Sequence, residues 1–212
     1  MHTFKFVHLG WVLFAALFAV VVGGGFQAAT EKVGVVDISK VVENSNYGKA
    51  NQDTFKKMKA ARETLLEFID SNRVLTIEQA TSIRDLSFKV DRTKAEDAKL
   101  DSLKADVIAQ TKKWQELATK SNLTSEERTL VEDYAKRAQT MGDLAQRWLR
   151  DFTNDMQEWA DKQKLASVSK AREAIQSVAK TQGYTVVFEI GVAPYGANDL
   201  SDAALDAMNA QK

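Results

Sequence analysis

The chain has no cysteine, one proline and two histidines in 212 residues. The proline is Pro194, and both histidines, His2 and His8, lie within the first ten residues. Without cysteine there are no disulfides, no thiol nucleophile and no thiolate metal site. Beyond residue 8 there is also no imidazole to act as a general base or to ligate zinc. Carboxylates and lysines remain, but nothing pairs a nucleophile with a base, so the chain reads as a non-enzyme without cofactor or metal. A dominant charge is missing too: 29 bases face 29 acids. No basic stripe marks a nucleic-acid partner, and none is expected.

Glycine and proline are absent where their absence matters most. Between Lys49 and Gln182 there is no proline and one glycine, Gly142. These residues usually punctuate loops, so their lack over such a length predicts very long helices. A single rod would span about 200 Å, with too little other sequence to cover it. The stretch must fold back on itself, pair with other chains, or both.

What is present begins with a targeting pattern. Lys5 and the two histidines precede an apolar run from Leu9 to Val22, followed by small residues through Ala28-Ala29. Residues 1–29 read as a secretory signal peptide cleaved near 28–29; the run is short for a membrane span, which needs about 20 residues. Removing it takes away Lys5 and no acid, leaving one fewer base than acid.

The segment Val33-Gly34-Val35-Val36 suits a short strand bounded by charge. From Lys49 onward the period is helical: Phe55, Met58, Arg62, Leu65, Leu66 and Ile69 share a face. Asp70-Ser71-Asn72-Arg73 interrupts it, and Thr76-Ile77-Glu78-Gln79 matches a capping box. The next helix is read as continuous through Ile83, Leu86, Val90, Leu100, Leu103, Val107, Trp114 and Leu117. A second box, Thr124 to Glu127, opens a run with Tyr134, Met141, Trp148, Phe152 and Trp159 close to a heptad seam.

A reversal at Asn72 gives legs of very unequal length, whereas one at residues 121–124 gives legs that match. The tip is placed at 121–124, with the Asn72 break absorbed as a kink, in an antiparallel hairpin about 90 Å long. The helix ends at Gln182-Gly183, and Tyr184 to Glu189 is the strongest strand signal. A last helix begins near Ser201. The fold class is thus mostly α with a small β body: a coiled-coil arm, residues 49–182, inserted between two short strands. The body comprises 30–48 and 183–212. Strands this short lack the core to stand alone, so an oligomer is expected.

The two ends resemble the Skp/OmpH family of periplasmic chaperones. The residues that carry this are Val33-Gly34-Val35-Val36-Asp37, Lys40-Val41-Val42, Ser45 and Gly48-Lys49-Ala50 at the front. At the back they are Val178-Ala179-Lys180, Gln182-Gly183-Tyr184 through Phe188, Val192-Ala193, Tyr195 and Asp199-Leu200-Ser201. The arm matches only in character. The resemblance implies a homotrimer whose strands close a shared β-barrel, with three arms around a cavity. It implies a periplasmic holdase that binds unfolded outer-membrane β-barrel proteins and prevents their aggregation without ATP. Relatives tend to be basic and shorter in the arm, and this chain departs from them on both counts.

The expected oligomer body is Val33, Val35, Val36, Val186, Val187 and Phe188. The expected arm seam is Val107, Trp114, Tyr134, Trp148, Phe152 and Trp159. Phe88, off the Leu86/Val90 face, is the candidate client contact. Lys56-Lys57-Lys59-Arg62 reads first as a solvated face; its functional reading is a weak contact with clients or an anionic membrane surface. The rival class is a membrane-anchored coiled-coil stalk, which needs neither the second strand nor the return after the helix.

Overall fold

The computed structural model describes residues 31–193 and 198–211. The signal-peptide reading, the loop residues Pro194, Tyr195 and Gly196, and Lys212 lie outside the described residues. The elements are strand β1 (Val33–Val36), helices α1 (Ile38–Asn44), α2 (Asn46–Ser71), α3 (Ile77–Phe88), α4 (Lys94–Thr119) and α5 (Ser125–Gln182), strand β2 (Val186–Glu189) and helix α6 (Ser201–Ala210). The chain is mostly helical, with a small two-stranded parallel sheet.

The sheet pairs the two ends of the described chain, Val33 with Val186 through Val36 with Glu189. On the other edge of β1, the Val35 amide donates to the Asn198 carbonyl and the Leu200 amide donates to the Val35 carbonyl, both at 2.8 Å. The strands are held against α1, the end of α5 and α6 by a core of Val36, Val41, Ala171, Ala174, Ile175, Ala204 and Met208. Three alanines in that set let the helices approach closely. Gly183 ends α5 at φ +73°, the left-handed conformation that favours glycine. Ser45 closes the bend between α1 and α2: its Oγ accepts from the Gly48 amide at 2.9 Å and donates to the Val42 carbonyl at 2.8 Å. A Cβ on Gly48 would lie 1.9 Å from that carbonyl oxygen, so the bend tolerates no side chain there.

The arm is where the structure departs from the sequence reading. The outgoing leg is not one kinked helix. It breaks twice, after Ser71 and after Phe88, and a third turn follows it after Thr119. The Asn72 break is a reversal, and the supposed continuous helix from Ile83 to Leu117 is interrupted between Lys89 and Thr93. Phe88, at the end of α3, lies 5.2 Å from Phe152 and 5.0 Å from the Arg62 guanidinium. At the start of α3, by contrast, Val74 accepts from Arg137 of α5 at 3.3 Å. So α3 runs back toward the body along α5. Helix α4 then turns outward again: Lys104 sits 5.7 Å over the Phe68 ring, and Gln110 accepts from the same Arg137 at 3.3 Å.

Four helices therefore lie side by side in the middle of the arm. Their shared core is Leu65 and Ile69 of α2, Leu75 before α3, Ala80 and Ile83 of α3, Leu100 and Val107 of α4, and Met141, Trp148 and Phe152 of α5. We refer to this as the node. The fold-back of α3 thickens the arm here. The part of α5 from Ser125 to Ser167 covers about 65 Å, shorter than the 90 Å expected of a simple hairpin.

All three turns use the same cap. Thr76 with Gln79, Thr93 with Glu96, and Thr124 with Glu127 each form a complete capping box, in which side chain and backbone exchange hydrogen bonds. At the first turn Leu75 precedes the cap and joins Ala80 in the core, a hydrophobic staple. At the second and third, a lysine seven residues earlier reaches the same glutamate: Lys89 to Glu96 and Lys120 to Glu127, both at 2.6 Å.

Candidate functional site

The exposed apolar surface lies in two places, one on the body and one on the arm. In a strand, successive side chains point to opposite faces, and the six expected body residues divide accordingly. Val36 and Val187 face the helices and belong to or pack against the core. Val33, Val186 and Phe188 share the other face and remain 42%, 41% and 42% exposed. Val35 alternates onto that face too but is 2% exposed. The outer edge of β2 has no strand beside it among the described residues. A half-exposed apolar face bordered by an open strand edge is a ready surface for another chain.

Polar contacts fix the rest of the body. Asp37 caps α1, accepting from the Lys40 amide at 2.8 Å, and its own amide donates to the Ser201 hydroxyl at 2.8 Å. Asp199 accepts from the Ser201 amide at 2.8 Å. The Ser201 side chain first, then its backbone, holds the Asp199 carboxyl below the usual range. Lys40 and Asp202 form an ion pair at 2.8 Å that raises the Lys40 ammonium above its ordinary value. These carboxylates tie α6 to the strands and α1.

On the arm, the residues expected at the seam differ in environment. Val107, Tyr134, Trp148 and Phe152 are buried, whereas Trp114 and Trp159 are half-buried. Val107, Trp148 and Phe152 belong to the node core, and Trp159 packs against Phe55 at 6.1 Å. Phe88 is not an exposed contact: it packs edge-on against Phe152 within the node, because α3 folds back onto α5. Val90, read as a seam residue, sits in the second turn and is 94% exposed.

Between body and node the arm has only α2 and α5, and their packing is loose. No residue of α2 between Gly48 and Leu65 is buried, nor any of α5 between Phe152 and Ser167. Two grooves follow one another along this base. The outer one, about 360 Å³, is lined chiefly by Phe55, Leu66, Leu149, Phe152 and Met156. The inner one, about 400 Å³, is shaped by Phe55 and Trp159 beside Val42, and opens toward the body. The basic run borders both. Lys56 and Lys59 make loose pairs with Asp53 and Glu63, at 3.8 and 3.6 Å. Arg62 is different: its guanidinium lies over the Phe88 and Phe152 rings at 5.0 and 5.4 Å. It donates through Nη1 to the Met58 carbonyl at 3.2 Å, while Nε is buried without an acceptor. The sequence reading counted Arg62 among solvated cations; its spacing in the apolar series Phe55, Met58, Leu65, Ile69 was the signal of a partly buried position.

A parallel strand pair joining both chain ends, with a long helical insert between them, defines a class of proteins built as a body with an arm. The chain matches the family model described as outer membrane protein (OmpH-like) over residues 32–208 and belongs to that family. The match spans both strands and the whole arm. Members of the family are periplasmic chaperones for outer-membrane proteins, and they are not enzymes. No curated protein and no solved structure matches the chain closely enough to count as similar. Among the described residues, no helix is long and apolar enough to cross a membrane.

Proposed function

We propose that this protein is an ATP-independent periplasmic holdase that binds unfolded outer-membrane β-barrel proteins between the arms of a homotrimer. The observation that carries this reading is the extent of the family match, which covers body and arm as one unit. The geometry supports it. The half-exposed Val33, Val186 and Phe188 with the open edge of β2 supply a surface on which copies complete one another's sheets. The arms supply grooves with apolar walls and no need of a nucleophile. Several weak contacts from tethered arms raise the apparent affinity for one client by effective concentration.

The test is turbidity of a urea-unfolded β-barrel outer-membrane protein on dilution. Stoichiometric trimer is expected to suppress it with no nucleotide present; a monomer in sedimentation, or no suppression, refutes the reading. Phe188→Asp separates assembly from folding. It places a charge on the open face, where it becomes buried and unpaired only in a trimer, and is expected to give a folded monomer. Val187→Asp is less informative, because Val187 packs against the protomer's own helices.

A further inference from the structure

We infer that the outer groove at the base of the arm, between Leu149 and Met156 of α5 and Phe55 and Leu66 of α2, is a client-binding site. It takes a short unfolded segment in which a large apolar side chain stands next to a carboxylate. The inference rests on the holdase reading and gives that reading a place and a chemistry. The groove is open and apolar, and Leu149 on its wall is 55% exposed. An exposed leucine gains from being covered, and its neighbours in the groove are already in position.

Size selects the occupant. At about 360 Å³ the groove falls in the range of small-ligand pockets, which run from roughly 300 to 1,000 Å³. A stable protein–protein interface engages roughly 20–30 residues a side, far more than this groove offers. The groove itself fits one or two side chains of an extended chain.

Charge selects within that class. Arg62 and Lys59 border the groove with one acid, Glu63. No carboxylate lies within ion-pair distance of Arg62 among the described residues. The Lys59–Glu63 pair is long and half exposed, which makes it easy to exchange. An Asp or Glu beside the client's apolar residue supplies the anion that the guanidinium lacks, in a charge-assisted contact. Because each groove holds only a short segment, no single sequence is required. This is how a chaperone with many clients and three arms should bind.

The experiment measures binding of a urea-unfolded, fluorescently labelled outer-membrane β-barrel protein to the full assembly. Leu149→Glu is expected to weaken binding about tenfold, the scale of losing one buried leucine contact. The control is Leu165→Glu on the same helix. Leu165 is more exposed, at 74%, and lines neither groove, so its effect should stay within about twofold. In peptides that place Asp or Asn beside an aromatic residue, the Asp form should bind about threefold tighter, with the difference lost at high salt. Equal effects of Leu149→Glu and Leu165→Glu, or no Asp preference, overturn the inference while leaving the holdase reading intact. A fall in oligomeric state with Leu149→Glu also overturns it, since a second copy would then be the occupant. If the unsubstituted protein fails to bind the unfolded client, the holdase reading falls and takes this inference with it.

Discussion

The base of the arm and its node share α2 and α5, yet they are packed differently. At the base the two helices run alone, bury nothing fully between Gly48 and Leu65 on α2, and leave two open grooves. In the node, α3 and α4 lie beside the same pair, and Ile69, Leu75, Ile83, Val107 and Met141 are all at most 1% exposed. Two helices cannot cover their own apolar stripes on all sides; four can. The arm thus places a well-packed unit beyond a loosely packed one, and its two most apolar grooves lie at the loose end.

The two tryptophans of α5 give the largest expected contrast. Trp148 is 5% exposed in the node core, and Trp148→Ala should cost about 3–5 kcal/mol in denaturant unfolding. Trp159 is half-buried against Phe55 at the base, and Trp159→Ala should cost about 1 kcal/mol, through loss of a partial contact. Equal costs would erase the distinction between node and base.

The second turn offers a smaller effect. Thr93→Ala removes the cap of α4 and should cost about 1 kcal/mol, read as faster amide exchange in the first turn of α4 with the base unchanged. Uniform loss of protection along the arm would show that node and base unfold together.

Acid gives the mildest effect. The Lys89 ammonium, then the Thr93 backbone amide, lowers the Glu96 carboxyl from about 4.5 to about 2. Since its pKa is depressed in the folded chain, its contribution is complete above about pH 4.5. It is lost as pH falls toward 2. Exchange at residues 94–97 should accelerate over that window, and Glu96→Gln should remove the pH dependence while keeping the box, as Gln79 does at the first turn. Glu127 is lowered in the same way, first by Lys120. A pH-independent first turn in the unsubstituted protein would contradict this cap geometry.

The sequence shows some of this clearly. Five Thr-x-x-Glu/Gln patterns stand in it; three are capping boxes in the structure, and two of those three are readable as helix starts. The other, Thr93-Lys94-Ala95-Glu96, reads as polar positions on one helix. Leu86, Val90, Leu100 and Leu103 make the helical spacing look unbroken across it. In the structure Val90 is solvated in the turn, so that apparent continuity is coincidental. Without the break between Phe88 and Thr93, a reversal at Asn72 gives legs that cannot pair, and rejecting it follows. Phe88 follows from the same error: off the stripe of a two-helix hairpin, it is inside a four-helix node. The strands were legible from their β-branched runs, but which face stays open was not. That depends on α1, α5 and α6 covering Val36 and Val187, a tertiary fact with no local sign.

The absence of cysteine makes the central claim simple to test, because two introduced cysteines carry the only spin labels. Placed at Glu63 and Lys89, both exposed, the labels flank the contact between Arg62 and Phe88. In assemblies diluted with unlabelled protein, double electron–electron resonance should give a single distance below about 20 Å, as for neighbouring helices whose axes lie roughly 8–10 Å apart. A distance of about 39 Å, the rise of 26 helical residues, would mean that the outgoing leg continues past Asn72 and that the node does not form.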